Sequence, residues 1–207
     1  MKTTNLINMP GYRINEYLLV LQPPATLRNR IRTIKTGIAA ACPAARVSKG
    51  ASLILLARFT QYEMMEKRLI ERLRFVAMGS PAFKVELKDF GSFPSHTIYL
   101  NVATKKSIQQ LVKNIRKETQ RLMKLNDDHV PHFILAPHLT LATKLPHYQF
   151  AKTWEIYKHK HFTGRFIAQH LYLLKKQMGD ATHPFLPVES FPLQNMPIAV
   201  KQGELFR

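Results

Sequence analysis

The chain repeats an order of elements. Strand, helix, strand, helix and strand fill roughly residues 17–90, and the same succession returns over roughly 98–174. The central strands of the two halves align residue for residue, Ser52-Leu53-Ile54-Leu55-Leu56-Ala57 against Pro137-His138-Leu139-Thr140-Leu141-Ala142, with Leu53 and His138 85 positions apart. Such a repeat implies two similar lobes related by a pseudo-twofold axis, their central strands facing one cleft; the alternative is an ordinary α+β domain whose similar elements coincide by chance. The class predicted is α+β, two pseudo-symmetric lobes of antiparallel sheet with flanking helices around a central cleft.

Local patterns support each element. Tyr17 to Leu21 is an unbroken apolar run ended by Pro23-Pro24, as in a buried strand. Leu27, Ile31, Ile34 and Ile38 recur at helical spacing within Ala25–Ala41, which places Arg28, Arg30, Arg32 and Lys35 outward. Ser52–Phe59 reads as a second strand. Glu63–Met78 reads as a helix with Met64, Leu69, Leu73 and Val76 inward, Phe83–Lys88 as a strand and Gly91 to Ser95 as a tight turn. The second half continues with a strand at His96–Val102, a long basic helix at Lys105–Leu125, a strand at His138–Leu145 and a helix at His147–His159. Strand character then runs over Phe162–Leu174 and Phe185–Leu193. The expected unit is one bilobal domain over 1–193, with 194–207 as a tail.

The strand at 137–142 carries the chemistry. Strand side chains alternate, so His138 and Thr140 project to one side while Leu139 and Leu141 project to the other. An imidazole moves a proton near neutral pH, and a neighbouring hydroxyl donates a hydrogen bond to a phosphoryl oxygen. Charge points to the same class of ligand: 31 Lys and Arg against 13 acids give a net +18, which draws the chain toward polyanions. The single Cys42 cannot form an internal disulfide, which fits a reducing cytosol. No apolar run is long enough to cross a membrane, and Met1 to Pro10 lacks a signal-peptide layout, so a cytoplasmic location is expected. No Cys/His cluster has structural-zinc spacing, so neither a structural metal nor a cofactor is expected.

The order of elements, the Pro-His-Leu-Thr-Leu-Ala strand and the duplicated lobe resemble the 2H phosphoesterase superfamily, which includes the LigT-like 2′-5′ RNA ligases and cyclic phosphodiesterases. Asp89 to Leu100 is also similar to bacterial proteins of the 2′-5′ RNA ligase family. The resemblance covers about Tyr17 to Leu193. It implies two His-x-Thr/Ser motifs lining a cleft, one histidine as general base and the other as general acid, with the hydroxyls holding phosphate. The implied ligand is RNA or a 2′,3′-cyclic phosphate nucleotide, and the implied chemistry is metal-free.

This chain departs from that pattern in its first half. The positions matching the first His and Thr are Leu53 and Leu55, which neither move protons nor bind phosphate. Losing one member of a cooperating pair removes orders of magnitude of rate. A weak or inactive member is therefore expected, with a non-catalytic RNA- or nucleotide-binding module or a protein scaffold as alternatives. His96 is the first candidate to replace the missing histidine, ahead of His129, His132 and His147. Lys144 shares the face of His138 and Thr140 if alternation holds. Phe59, Phe93 and Tyr17 are candidates to line the cleft and stack on a base, and Arg58 and Arg165 to meet phosphate.

Overall fold

A computed structural model describes residues 11–47, 52–93, 96–180 and 182–197. In chain order the elements are β1 (Ile14–Leu21), α1 (Ala25–Ala41), β2 (Arg46–Val47), β3 (Ile54–Tyr62), α2 (Glu66–Met78), β4 (Phe83–Phe93) and β5 (Thr97–Val102). There follow α3 (Lys105–Met123), β6 (His132–Phe133), β7 (His138–Thr143), α4 (His147–Tyr157), β8 (Thr163–Ala168), β9 (His170–Gln177) and β10 (Leu186–Pro192). The apolar stretch at 162–174 is thus two strands, and β4 runs on to Phe93 where a turn was expected at Gly91. The two-residue strands β2 and β6 are too short to leave a periodic signal.

The strands form two five-stranded antiparallel sheets, ordered β10-β9-β1-β3-β6 and β8-β4-β5-β7-β2. Written this way the sheets correspond: β1 matches β5, β3 matches β7, and the outer pairs follow. Each sheet nevertheless draws on both halves of the sequence. β4 and β2 come from the first half and join the second sheet, while β9 and β6 make the reverse exchange. Two of the helices, α1 and α3, are exchanged as well. On the first sheet, Gln61 of β3 donates to the Leu122 carbonyl of α3, and Tyr17 of β1 donates to Glu66 of α2. Over the second sheet lie α1, which meets β7, and α4, tied to the end of α1 through Cys42 and Gln149.

The two central hairpins share a defect. The β1–β3 register slips between Leu19 and Val20, leaving Leu56 without a partner, and the β5–β7 register slips between Ile98 and Tyr99, leaving Leu141 without one. These are β-bulges, in which two residues oppose one and face the same way. Leu56 and Ala57 are both fully buried, as are Leu141 and Ala142. The bulged positions are again 85 residues apart.

The core gathers the inner faces of both sheets and the apolar stripes of the helices, including Leu69, Leu73 and Val76 of α2 and Ile108, Leu111 and Ile115 of α3. Two expected orientations change. Lys35 is buried, because Leu27, Ile31, Lys35 and Ile38 fall on one face of α1; burial lowers its pKa. Met64 is exposed, because residues 63–65 form a 3₁₀ turn ahead of α2.

Candidate functional site

His138 opens β7 and Thr140 follows on the same face. Their cross-strand partners on β5 are Asn101 and Tyr99, and Gly91 of β4 lies opposite Tyr99. Cross-strand partners share a face, so these side chains and Phe93 form one surface. The His138 ring meets Phe93 edge-on and Tyr99 at a tilt, each with centroids 5.0 Å away, and Phe93 lies 4.4 Å from Tyr99. Gly91 makes room: a Cβ there would sit 2.5 Å from the Tyr99 ring. Two aromatic rings therefore hold the imidazole against the sheet.

Hydrogen bonding selects its tautomer. His138 Nδ1 lies 3.1 Å from the Ala136 carbonyl oxygen. A carbonyl only accepts, so a neutral ring making this bond carries its proton on Nδ1 and presents the Nε2 lone pair. In that form the ring accepts a proton from a water or a hydroxyl. Thr140, two residues on, supplies a donor for a phosphoryl oxygen.

The bulge decides what else shares this face. Leu141 and Ala142 both point inward, so alternation resumes one residue late. Thr143, not Lys144, continues the surface of His138 and Thr140, and Arg46 of β2 lies opposite it. Lys144 stands beyond the strand, exposed and left-handed at φ 55°. Its assignment to the His138 face is therefore corrected.

The positions of the first sheet that correspond to His138, Thr140 and Tyr99 are apolar. Leu55 precedes its bulge as Thr140 precedes the other, and Leu53, just before β3, matches His138. Val20, opposite Leu55, takes the place of Tyr99 and pairs on its other side with Tyr172 of β9. β3 and β7 approach each other where the lobes meet. At the matching positions one sheet carries an imidazole and hydroxyls, and the other aliphatic side chains.

The remaining candidates are scattered. The His96 ring packs against His147 and Phe150 of α4, both 5.3 Å away between centroids, and the residue is left-handed at φ 61°. Tyr17 and Phe59 stack on each other at 5.1 Å, 0% and 2% exposed on the α2 side of the first sheet. They belong to the core and offer no surface to a base, which corrects their placement in the cleft. The Tyr17 hydroxyl donates to Glu66, and burial, with that carboxylate, holds its pKa far above the usual phenol range. Phe93, half-exposed beside His138, is where a stacking residue would be useful. Arg58 shares the face of Leu55 but is paired with Glu16, and Arg165 is paired with Glu86. His132 is exposed on β6, and His129 is held by Asn126 in the preceding loop.

Tyr99, Asn101, Gly91 and Thr143 were not among the sequence candidates. Alternation in Thr97-Ile98-Tyr99-Leu100-Asn101 puts Tyr99 and Asn101 on one face, and the pairing of β5 with β7 makes it the face of His138. Asn101 also donates to the Phe90 carbonyl at 3.1 Å, fixing β4 beside the site.

The sequence matches the 2′-5′ RNA ligase superfamily over residues 23–180, more than half of the chain. The chain belongs to this family. Its fold is similar to that of E. coli LigT in its apo form, at 15% identity and a TM-score of 0.63, covering 87% of this chain and 98% of LigT. The TT0787 protein of Thermus thermophilus is similar at 14% identity and 0.65, covering 86% and 98%. A phosphoesterase is similar at 16% and 0.60, also covering 86% and 98%. No curated protein matches the sequence. LigT has been solved with 3′-AMP, ATP, NADP+ and phosphate. Among the described residues no helix is long and apolar enough to cross a membrane.

Proposed function

We propose that this chain binds RNA ends or 2′,3′-cyclic phosphate nucleotides between its lobes through His138 and Thr140, and that it opens a cyclic phosphate weakly or not at all. The bulge-for-bulge correspondence of β3 with β7 carries the reading, because it supports taking Leu53 and Leu55 as the counterparts of His138 and Thr140. Family membership and the nucleotides bound by LigT support the ligand class. Net charge of +18 supports a polyanion.

The chemistry follows from what is present. In hydrolysis the oxygen of a water bonds to phosphorus while one ribose oxygen leaves. His138 Nε2 takes the proton from the water, and Thr140 donates to a phosphoryl oxygen. The departing oxygen also needs a proton, and Leu53 has none to give, so it must draw on solvent. A positioned general acid contributes roughly 10²–10⁴-fold, and that factor is what this chain forgoes.

The test is hydrolysis of a 2′,3′-cyclic nucleotide by the natural chain, His138→Ala and the double variant Leu53→His/Leu55→Thr. Slow turnover or none is expected from the natural chain, with loss of any residue of it in His138→Ala. The double variant should gain about 10²-fold or more where the natural rate is measurable. Brisk turnover that survives His138→Ala would sink the assigned site. A double variant that binds nucleotide but gains nothing would favour the binding module without chemistry.

A further inference from the structure

A cavity of about 390 Å³ opens where the end of β1, the first turn of α1 and the β8–β9 connection converge. This is within the size range of small-molecule sites. Its wall carries Arg28, His170, Tyr172, Gln22 and Gln169, together with Phe166. No carboxylate lines it among the described residues. A guanidinium, an imidazole, a phenol and two amides in one concavity, unopposed by any acid, suit an anion and discourage a cation. His170 and Tyr172 are two apart on β9 and so share a face, their rings 6.0 Å apart. The ladder gives the location: Tyr172 pairs with Val20, and Val20 with Leu55. At one strand spacing per step, Tyr172 at the cavity wall lies about 10 Å from Leu55 on the same face.

We propose that this cavity is a nucleotide subsite, in which Arg28 and His170 take a phosphate monoester and Tyr172 takes the base. It extends the ligand-binding surface beyond the junction of β3 and β7, and rests on the proposed function for that continuity. The subsite supplies recognition of a terminal phosphate from α1 and β9, beside the sheet that has Leu53 and Leu55 in place of a His-x-Thr motif.

The experiment compares 5′-AMP with adenosine by titration calorimetry on the full chain, with inorganic phosphate as a control. The wild type is expected to prefer AMP by at least tenfold, with phosphate alone weaker than AMP. Arg28→Ala, checked for an unchanged melting temperature, should reduce the preference below threefold; His170→Gln, a second and milder variant, should reduce it at least threefold. Lys152→Ala, at an exposed position of α4, should leave it within threefold of wild type. A wild type without the preference overturns the subsite, as does a preference unchanged in both Arg28→Ala and His170→Gln. Loss of preference in His138→Ala with retention in Arg28→Ala would place the phosphate at β7, sinking the subsite while the proposed function stands. Retained AMP preference with no binding of a 2′,3′-cyclic nucleotide would do the opposite.

Discussion

Replacing Gly91 with alanine tests how the His138 surface is built. The backbone at Gly91 lies outside the left-handed region, so alanine meets no conformational penalty there. The obstacle is the Tyr99 ring: a Cβ would lie 2.5, 2.6 and 2.8 Å from three of its atoms. Ordinary contact needs about 3.5–4 Å, so the ring must retreat by roughly 1 Å. Phe93 and His138 already flank it, with centroids 4.4 and 5.0 Å away. Overpacking of this kind costs about 1–3 kcal/mol. At about 2 kcal/mol, a chain of this size should melt roughly 4–8 °C lower. The assay is a double-mutant cycle with Tyr99→Ala, read by thermal or urea unfolding. With the ring gone the added methyl has space, and Gly→Ala at a compatible backbone is neutral or stabilising by up to about 1 kcal/mol. The coupling should therefore be about 2–3 kcal/mol. Equal destabilisation by Gly91→Ala in both backgrounds would refute the claim that this glycine exists to admit the ring.

Other outcomes are expected. Tyr17→Phe removes a hydrogen bond to the Glu66 carboxylate and should cost roughly 1–3 kcal/mol at neutral pH in urea unfolding. The folded pKa of Tyr17 is raised by burial above its unfolded value, so its contribution is complete below about pH 10 and is lost as pH rises toward the folded value. The stability gap between wild type and Tyr17→Phe should therefore narrow above about pH 10; a gap that widens there contradicts the assignment. Binding of a short RNA, followed by anisotropy at two salt concentrations, should weaken as salt rises, through counterion release. Salt-independent binding, or none, would favour a protein-interaction scaffold.

Much of the architecture was legible because burial imposes a period, and the elements that bury most show it most clearly. The repeat followed from the order of those elements, and the His138–Thr140 pair from alternation. What escaped was non-local. The exchange of β4 and β9 depends on pairings between distant segments, which no local period records. An extra residue such as Leu141 is indistinguishable in sequence from an ordinary strand residue, and for that reason Lys144 was assigned to the wrong face. Tyr17 and Phe59 failed for another reason: an aromatic side chain suits a base-stacking surface and a core equally, and only its neighbours decide. Gly91 lay in a stretch that read as a turn, although its role is to make space beneath Tyr99.

The exchange of strands between the sheets bears on how the chain folds. Neither half of the chain holds a complete sheet: residues before Phe93 lack β9 and β10, while those after His96 lack β4 and β2. A break between them should yield two fragments that are unstructured apart and recover the fold when mixed, measurable by circular dichroism of each and of the mixture. The chain must also close loops spanning much of its length before either sheet is whole, a topology associated with slow folding. The lobes are then expected to gain and lose structure together, so that the surfaces around His138 and Leu53 stay paired in every molecule that is folded at all.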